Sequence, residues 1–497
     1  MAAFQTRRDR LWQATLSPHG MPGAHRALRR AVIVPWLQQE RMTRSPDKTN
    51  RAAASVKDVP KRGVDDRLED IQKKAFHYFE CEANTVNGLI RDKTAPDDNW
   101  SPDWPSSIAA VGFALACYPV AVSRGFLSRD AAVERTLATL RFFARSEQGP
   151  QADATGYRGF YYHFLDMHTG RRAWQCELSS IDTALLLAGM LTCARFFTGE
   201  AVDEAEIRSL TDMLYRRVEW DWALDGGASI SMGWRPESGF LEARWTGYNE
   251  ALLLYILALG SPTHPVAEAS YLAWTAGYEW KRTYNYDYLY AGSLFTYQFP
   301  HIWIDFRGIQ DDFMRDKGID YFENSRRATY VQREYAIANP QGFTGYAANC
   351  WGLTASEGPG PATVLIDGVE RRFLGYVARA VPYGPDDGTI APWAVVASLP
   401  FAPDIVLPAL DYFIDELGLH DVNPFGFRAT INQTYAAEAG HAIGWISPWH
   451  FGINQGPVVL MIENHRTGML WELMRKCPYV LDGLQRAGFR DTVVQTP

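Results

Sequence analysis

GFLEARWTGYNEALLLYILALGSPTHP, residues 239–265, is the stretch from which the fold reads outward. Leu252, Leu253, Tyr255, Ile256 and Leu259 recur at helical spacing and give a broad apolar face. Thr246 and Gly247 suit an N-terminal cap. Gly260 with Pro262 ends the helix, because glycine accepts the C-cap conformation and proline cannot continue it. That frame puts Glu250 in the first turn, beside Trp245, Tyr248 and Asn249. Two readings of this carboxylate stand side by side: a complement to the helix dipole, or a member of an acid-base or sugar-binding site.

The same kind of helix recurs on both sides. Residues 65–82 place Leu68, Ile71, Ala75, Phe76 and Phe79 on one face, an amphipathic helix. Residues 106–122 are apolar nearly all round, which predicts a buried helix, and 128–145 follow as an amphipathic one with Ser128 as cap. The alternation repeats with 179–197 and 203–218, with the helix at Gly247 and 265–280, with 392–399 and 403–417, and with 455–462 and 466–475. Residues 156–176 read as a loop with room for a hairpin at Thr169-Gly170. Residues 284–301 read as a tyrosine-rich loop and 318–338 as a long amphipathic helix. Residues 351–387 are rich in Gly and Pro, with a strand pair around Asp367-Gly368. About six buried-amphipathic pairs fit an all-α chain folded as an (α/α)6 toroid, with long cleft-forming loops and minor β-hairpins. An open α-solenoid or two separate helical domains are the alternatives, and a solenoid should show a fixed short period, which is not visible. The long loops precede the buried helices, so they gather on one face.

The chain has 497 residues, 47% hydrophobic and 21% charged, which is ordinary for a globular protein. Its net charge of −8 argues against general nucleic-acid binding. The 17 Trp, 24 Tyr and 25 Phe suit either a carbohydrate cleft or a large aromatic core, and composition does not choose. The six cysteines form no CxxC pair and no zinc-finger spacing. No run of about eighteen apolar residues predicts a membrane span. Residues 1–62 are Arg-rich without hydrophobic period and read as a tail or linker before one domain, 63–497. Their apolar run, AVIVPWL, is short for an export signal and carries Pro35, and Met42 offers a later start. The cytoplasm is the default expectation and the periplasm stays open.

Residues near the starts of buried helices should converge on the cleft. They are Glu177, Ser179, Ser180 and Asp182; Trp245, Tyr248 and Glu250; His301, Trp303, Asp305 and Arg307; and Asn454 with Gln455. Glycoside hydrolysis needs one protonated carboxyl and one ionised carboxylate. A helix N-terminus favours the ionised form and aromatic surroundings the protonated one. This points to Glu250 as acid and to Asp182 or Glu177 as base. Trp245, Trp303 and Trp351 are expected to line the cleft as stacking platforms, or else to belong to the core. His301 and Asp305 have i,i+4 spacing without a third metal ligand at diagnostic distance, so a structural or substrate-binding pair is the expectation and no metal or other cofactor is implied. Asp305 with Arg307 reads as a salt bridge or a holder of a sugar hydroxyl.

Eight stretches taken together resemble one family: SSIAAVGFALACYPV, SSIDTALLLAGML, YNEALLLYILALGSPTHP, HIWIDFRGIQD, YFENSRRAT (with Asn324), NCWGLTASEGP, GTIAPWAVVASLPFAP and GINQGPVVLMIEN. They are similar to the bacterial glycoamylase-like family that includes endo-β-1,2-glucanases of the glycoside hydrolase family 144 type, and to a domain of cyclic β-1,2-glucan synthases. The resemblance spans about residues 65–477. It implies an (α/α)6 barrel, no essential metal, inverting hydrolysis of β-1,2-glucan, and acidic residues at Asp182 and Glu250, with Glu177 a further candidate. It also implies export, from which the Arg-rich N-terminus departs. Transglycosylation of β-1,2-glucan and non-catalytic glucan binding are the competing functions. Hydrolysis alone of the three creates new reducing ends.

Overall fold

In the computed structural model, which describes residues 63–95, 104–421, 423–435 and 443–491, serine hydroxyls turn extended chain into helix at three places. Ser107 accepts from the Ala110 N–H at 3.4 Å, Ser128 from Ala131 at 3.2 Å and Ser179 from Asp182 at 3.2 Å, each satisfying an orphan first-turn donor. The expected tail, residues 1–62, lies outside the described residues.

The first helices are α1 (Val64–Cys81), α2 (Ile108–Arg124), α3 (Arg129–Arg145), α4 (Ser180–Phe196) and α5 (Val202–Arg216). Next come α6 (Ala251–Leu259), α7 (Glu268–Thr275), α8 (Leu294–Trp303), α9 (Tyr321–Ala338), α10 (Pro392–Ala397) and α11 (Pro403–Asp411). The last are α12 (Gly452–Arg466), α13 (Met469–Met474) and α14 (Pro478–Arg486). Each even-numbered helix from α2 to α12 packs on the next, and α12 packs back on α2. Around them, α3 and α5 pack on α2 and α4, α9 on α8, α11 on α10, and α1 on both α12 and α2. Helix α14 packs on α6, and α13 lies against α4, α8 and α12. The even helices from α2 to α12 are buried on nearly every side, and the odd ones and α14 on one stripe, as the hydrophobic pattern requires. At the α2–α4 crossing only glycine fits: a Cβ on Gly189 would stand 2.0 Å from the Gly112 carbonyl oxygen.

Two local expectations are corrected. Gly247 has φ +74 and cannot begin a helix, so α6 starts at Ala251, whose N–H is accepted by the Asn249 side chain at 3.1 Å. The expected loop over 284–301 is a hairpin, Trp280–Thr283 against Tyr286–Leu289, followed by the fully buried α8. Tyr284 and Asn285 both take positive φ in the hairpin turn, which matches the right-handed twist of its strands.

Short strands lead directly into four of the buried helices. Ser106–Ser107 precedes α2, Leu178–Ser179 precedes α4, Thr389–Ile390 precedes α10 and His450–Phe451 precedes α12. Leu178–Ser179 is the middle of a five-stranded antiparallel sheet, between Phe160–Tyr162 and Gly233–Arg235. The starts of the buried helices are therefore surrounded by extended backbone that carries side chains toward one another.

Candidate active site

A cavity of about 750 Å³ opens among these helix starts. Glu177, Asp182, Glu250, Trp245 and Asn454 all line it. Sheet register builds one side of it. Pairing of Tyr162 with Leu178 sets His163 beside Glu177, and the His163 N–H donates to the Glu177 carbonyl at 3.0 Å. The imidazole then spans two carboxylates: Nδ1 lies 2.9 Å from Glu177 Oε1 and Nε2 lies 3.6 Å from Asp182 Oδ2. Its face stacks on Phe164 at 4.1 Å between centroids. Ser179 also donates to Asp182 Oδ2 at 2.5 Å. Pairing of Leu178 with Trp234 brings Arg235 to 3.7 Å from Glu177 Oε2.

Burial pushes the His163 pKa down, but the charges of Asp182, Glu177 and Asp92 outweigh it and raise it to about 9. The imidazole is therefore cationic at neutral pH. Burial pushes Glu177 up, and the hydrogen bond and charge of His163, with Arg235, reverse this and hold it below its ordinary value. Asp92 is pushed up to about 6, first by burial and then by Asp182, against the pull of Lys93 and His163. Glu357 is raised by burial, countered by a 2.6 Å hydrogen bond from Ser447. The cavity thus brings together carboxyl groups pushed in opposite directions, Glu177 down and Asp92 and Glu357 up, the kind of asymmetry that acid-base work uses.

Glu250 is the residue immediately before α6 and is 5% exposed. The Trp245 indole N–H donates to Ser180 Oγ at 2.9 Å, which ties the start of α6 to that of α4.

The other expected residues lie elsewhere. His301 and Trp303 occupy the last turn of α8, so burial of that helix carries them away from the helix starts. His301 Nε2 lies 2.9 Å from Ser325 Oγ, and its carbonyl accepts from the Trp471 indole at 2.6 Å. Trp303 is fully buried and stacks on Phe113 at 5.5 Å. Trp351 is fully buried in a segment whose Leu353 bonds to Gln332 and Leu294. These two corrections remove both indoles from the expected cleft lining. Asp305 pairs with Arg307 at 2.8 Å and with Arg475 at 3.1 Å. Tyr248 packs among Tyr278, Tyr297 and Tyr321. Asn324 accepts from the Leu289 N–H at 2.7 Å, and Gln455 donates to the Phe427 carbonyl at 3.3 Å. None of these eight residues lines the cavity.

Sequence reasoning missed Asp92, His163, Arg235 and Glu357. Of these, Glu357 stood inside a quoted motif, NCWGLTASEGP. Among the described residues one trio has metal-capable groups within reach of each other, Asp70, His420 and Asp421, and it lies outside the cavity. Lys74 stands 3.8 Å from a carboxylate oxygen of each aspartate. No helix among the described residues is long and apolar enough to cross a membrane.

A family model described as "Putative glucoamylase" matches residues 242–478. A protein of the same description from Bacteroides uniformis has a structure with TM-score 0.75 and 30% identity, over 87% of this chain and 99% of that one. An endo-β-1,2-glucanase from Chitinophaga pinensis, solved with sophorotriose and glucose, has TM-score 0.75 and 26% identity, over 86% of this chain and 99% of that one. An exo-β-1,2-glucooligosaccharide sophorohydrolase (non-reducing end) of Parabacteroides distasonis is 27% identical over 452 residues, 85% of this chain. The chain spans 58% of that relative's length.

Proposed function

This chain belongs to the glycoamylase-like family, and on that premise we propose that it hydrolyses β-1,2-linked glucan or its oligosaccharides. The observation that carries the reading is one shared cavity: Glu177 and Asp182, joined through His163, open on it together with Glu250. The similarity to an endo-β-1,2-glucanase and to a β-1,2-glucooligosaccharide hydrolase supports the linkage. The closed succession of even-numbered helices supports an (α/α)6 toroid, with residues 63–497 as one catalytic unit.

Inversion is the stereochemistry that fits. An inverting pair needs roughly 6.5–9.5 Å between carboxyl groups to admit a water, against about 5–5.5 Å for a retaining pair. Side chains from the starts of two different helices, α4 and α6, suit the wider spacing. Glu250 gives its proton to the glycosidic oxygen as the bond to the anomeric carbon breaks. On the other face Asp182, or Glu177 through a further water, takes a proton from the attacking water. The His163 imidazolium holds the Glu177 carboxyl below its ordinary value, and Trp245 with Asn454 contribute to the wall that holds the sugar.

Incubation with linear β-1,2-glucan tests this. New reducing ends and an α-anomer in the first NMR spectra, before mutarotation, are expected. A β-anomer removes inversion, and an unchanged count of reducing ends removes hydrolysis.

A further inference from the structure

Trp174 is 51% exposed, yet its backbone is built at some cost. Trp174 and the next residue, Gln175, have φ +54 and +53. Two successive non-glycine residues in the left-handed region store roughly 1–3 kcal/mol each and persist only where surroundings impose them. Here the surroundings are the Arg172 side chain, itself 2% exposed. Its guanidinium donates to the Cys176 carbonyl at 2.6 Å and the Gln175 carbonyl at 2.8 Å, and grips Glu237 with bonds of 2.7 and 3.1 Å. The turn is wrapped around a fixed cation, and its product is an indole standing at the cavity wall.

That indole is not isolated. Its ring contacts Trp104 edge-on at 5.3 Å and Phe164 at 5.1 Å. The Lys93 ammonium lies 4.2 Å over the Trp104 ring. Trp174, Gln175, Trp104 and Lys93 line the same cavity as Glu177, Asp182 and Glu250. A strained turn is costly for folding, and here it presents an aromatic ring at the cavity wall. A sugar ring offers an apolar C–H face to an indole and hydroxyls to an ammonium and a carboxamide, and this corner presents all three.

We infer that Trp174, held by Arg172 and flanked by Lys93 and Gln175, is a distal subsite that stacks a glucosyl ring of the chain beyond the units at the carboxylates. The inference rests on the reading of this cavity as a β-1,2-glucan site. Trp174 binds and aligns longer chains, and takes no part in the bond-breaking step. Arg172 is a positioning residue that acts through the turn.

The test is kcat/KM on linear β-1,2-gluco-oligosaccharides of graded length, for the wild type, Trp174→Ala, Trp174→Phe and Arg172→Met, each checked for an intact melting transition. Trp174→Ala should lose kcat/KM progressively with length. The loss on the longest chain should exceed that on the shortest by about tenfold, entering through KM, and tenfold corresponds to about 1.4 kcal/mol. Trp174→Phe keeps a ring face and should recover most of that difference, and Arg172→Met should fall between them. A loss equal at every length, or none at any length, overturns the subsite while leaving the hydrolytic reading intact. A uniform loss would mean that the indole acts by packing on Phe164 beneath His163. A wild type that leaves every β-1,2-glucan uncut overturns the functional reading and the subsite with it.

Discussion

Two buried glutamates, Glu177 at the start of α4 and Glu463 near the end of α12, are 5% and 2% exposed and have opposite surroundings. Glu463 is saturated: Arg124 binds both oxygens at 2.7 and 3.0 Å, Gln72 adds a bond at 3.1 Å and Thr467 one at 2.7 Å. Glu177 binds His163 through Oε1, while Oε2 accepts no hydrogen bond among the described residues and its side chain lines the cavity. The histidines repeat the contrast. His163 lies between carboxylates and is raised to about 9, whereas burial drives His301, at the end of α8, down to about 3 against the pull of Asp305. Helix starts favour anions and helix ends favour cations. At one end of this molecule the charges face a cavity, and at the other they face one another. Burial therefore does not by itself mark function; a buried carboxylate whose side chain lines a cavity does.

The largest expected effect applies the same substitution at both ends. Glu250→Gln or Asp182→Asn should lower kcat/KM by about 10²- to 10⁴-fold, the range for general acid-base help. Glu463→Gln leaves Arg124 without its carboxylate in a mostly buried site and should cost about 3–5 kcal/mol of stability. Turnover per folded molecule should persist in that variant. Denaturant titration beside steady-state kinetics measures both. Near-normal turnover in Glu250→Gln would falsify its assignment as acid, and a turnover loss in folded Glu463→Gln would erase the distinction between the two ends.

A smaller and pH-dependent effect sharpens the contrast at the helix starts. The His163 pKa is raised to about 9 from an ordinary 6.5. Below 6.5 both folded and unfolded chains hold the proton, and the stabilisation is complete. Between 6.5 and 9 the folded chain binds more protons than the unfolded one, so stability falls as pH rises, and above 9 the contribution is gone. The charged groups that face the imidazole are Asp182, Glu177 and Asp92; Glu177 is held below its ordinary value and Asp92 lies at about 6, so neither titrates in the upper part of this window. The melting-temperature advantage of the wild type over His163→Gln should therefore shrink from pH 6.5 to pH 9. A gap that widens with pH shows that His163 is not held as a cation.

Which parts were legible in the chain follows from where their causes lie. Ser107, Ser128 and Ser179 act on donors three residues away, so these three helix starts read locally, whereas the start of α6, set by the positive φ of Gly247, did not. The leucine-rich α4 and α6 read from their apolar pattern, and Glu177, Asp182 and Glu250 at their starts line one cavity. Helix α8, LFTYQFPHIW, did not read. It is buried all round and shows no polar stripe, its aromatic residues are weak helix formers, and Pro300 reads as a breaker. That single miss misplaced both His301 and Trp303. His163 and Arg235 reach Glu177 through strand pairings, Tyr162 with Leu178 and Leu178 with Trp234, whose register is a property of the assembled sheet. Asp92 becomes notable only through burial near Asp182 and His163, which no local pattern announces.

The smallest expected effect lies at the far end of α8, where a sugar-holding role for Asp305 and Arg307 was one of two expectations. Arg307 grips Asp305 with Nε and Nη2, both at 2.8 Å, and its guanidinium lies 4.4 Å over the Trp471 ring. Asp305 is 10% exposed at its side chain and Arg307 is 51% exposed, so water screens the pair from one side. Burial raises the Asp305 carboxyl, and Arg307 together with Arg475 overcomes this and holds it below its ordinary value. Arg475 remains 3.1 Å from Asp305 when Arg307 is replaced, so the carboxylate is not left alone. Exposed ion pairs contribute about 0.2–1 kcal/mol, and salt screens them. Arg307→Gln should therefore cost no more than about 1 kcal/mol in denaturant titration at low salt, and less in ~1 M salt. Its KM on β-1,2-glucan should match the wild type, because neither residue lines the cavity. A several-fold rise in KM at unchanged stability would bring Asp305 and Arg307 to the substrate, and the division between the two ends of the helices would not hold.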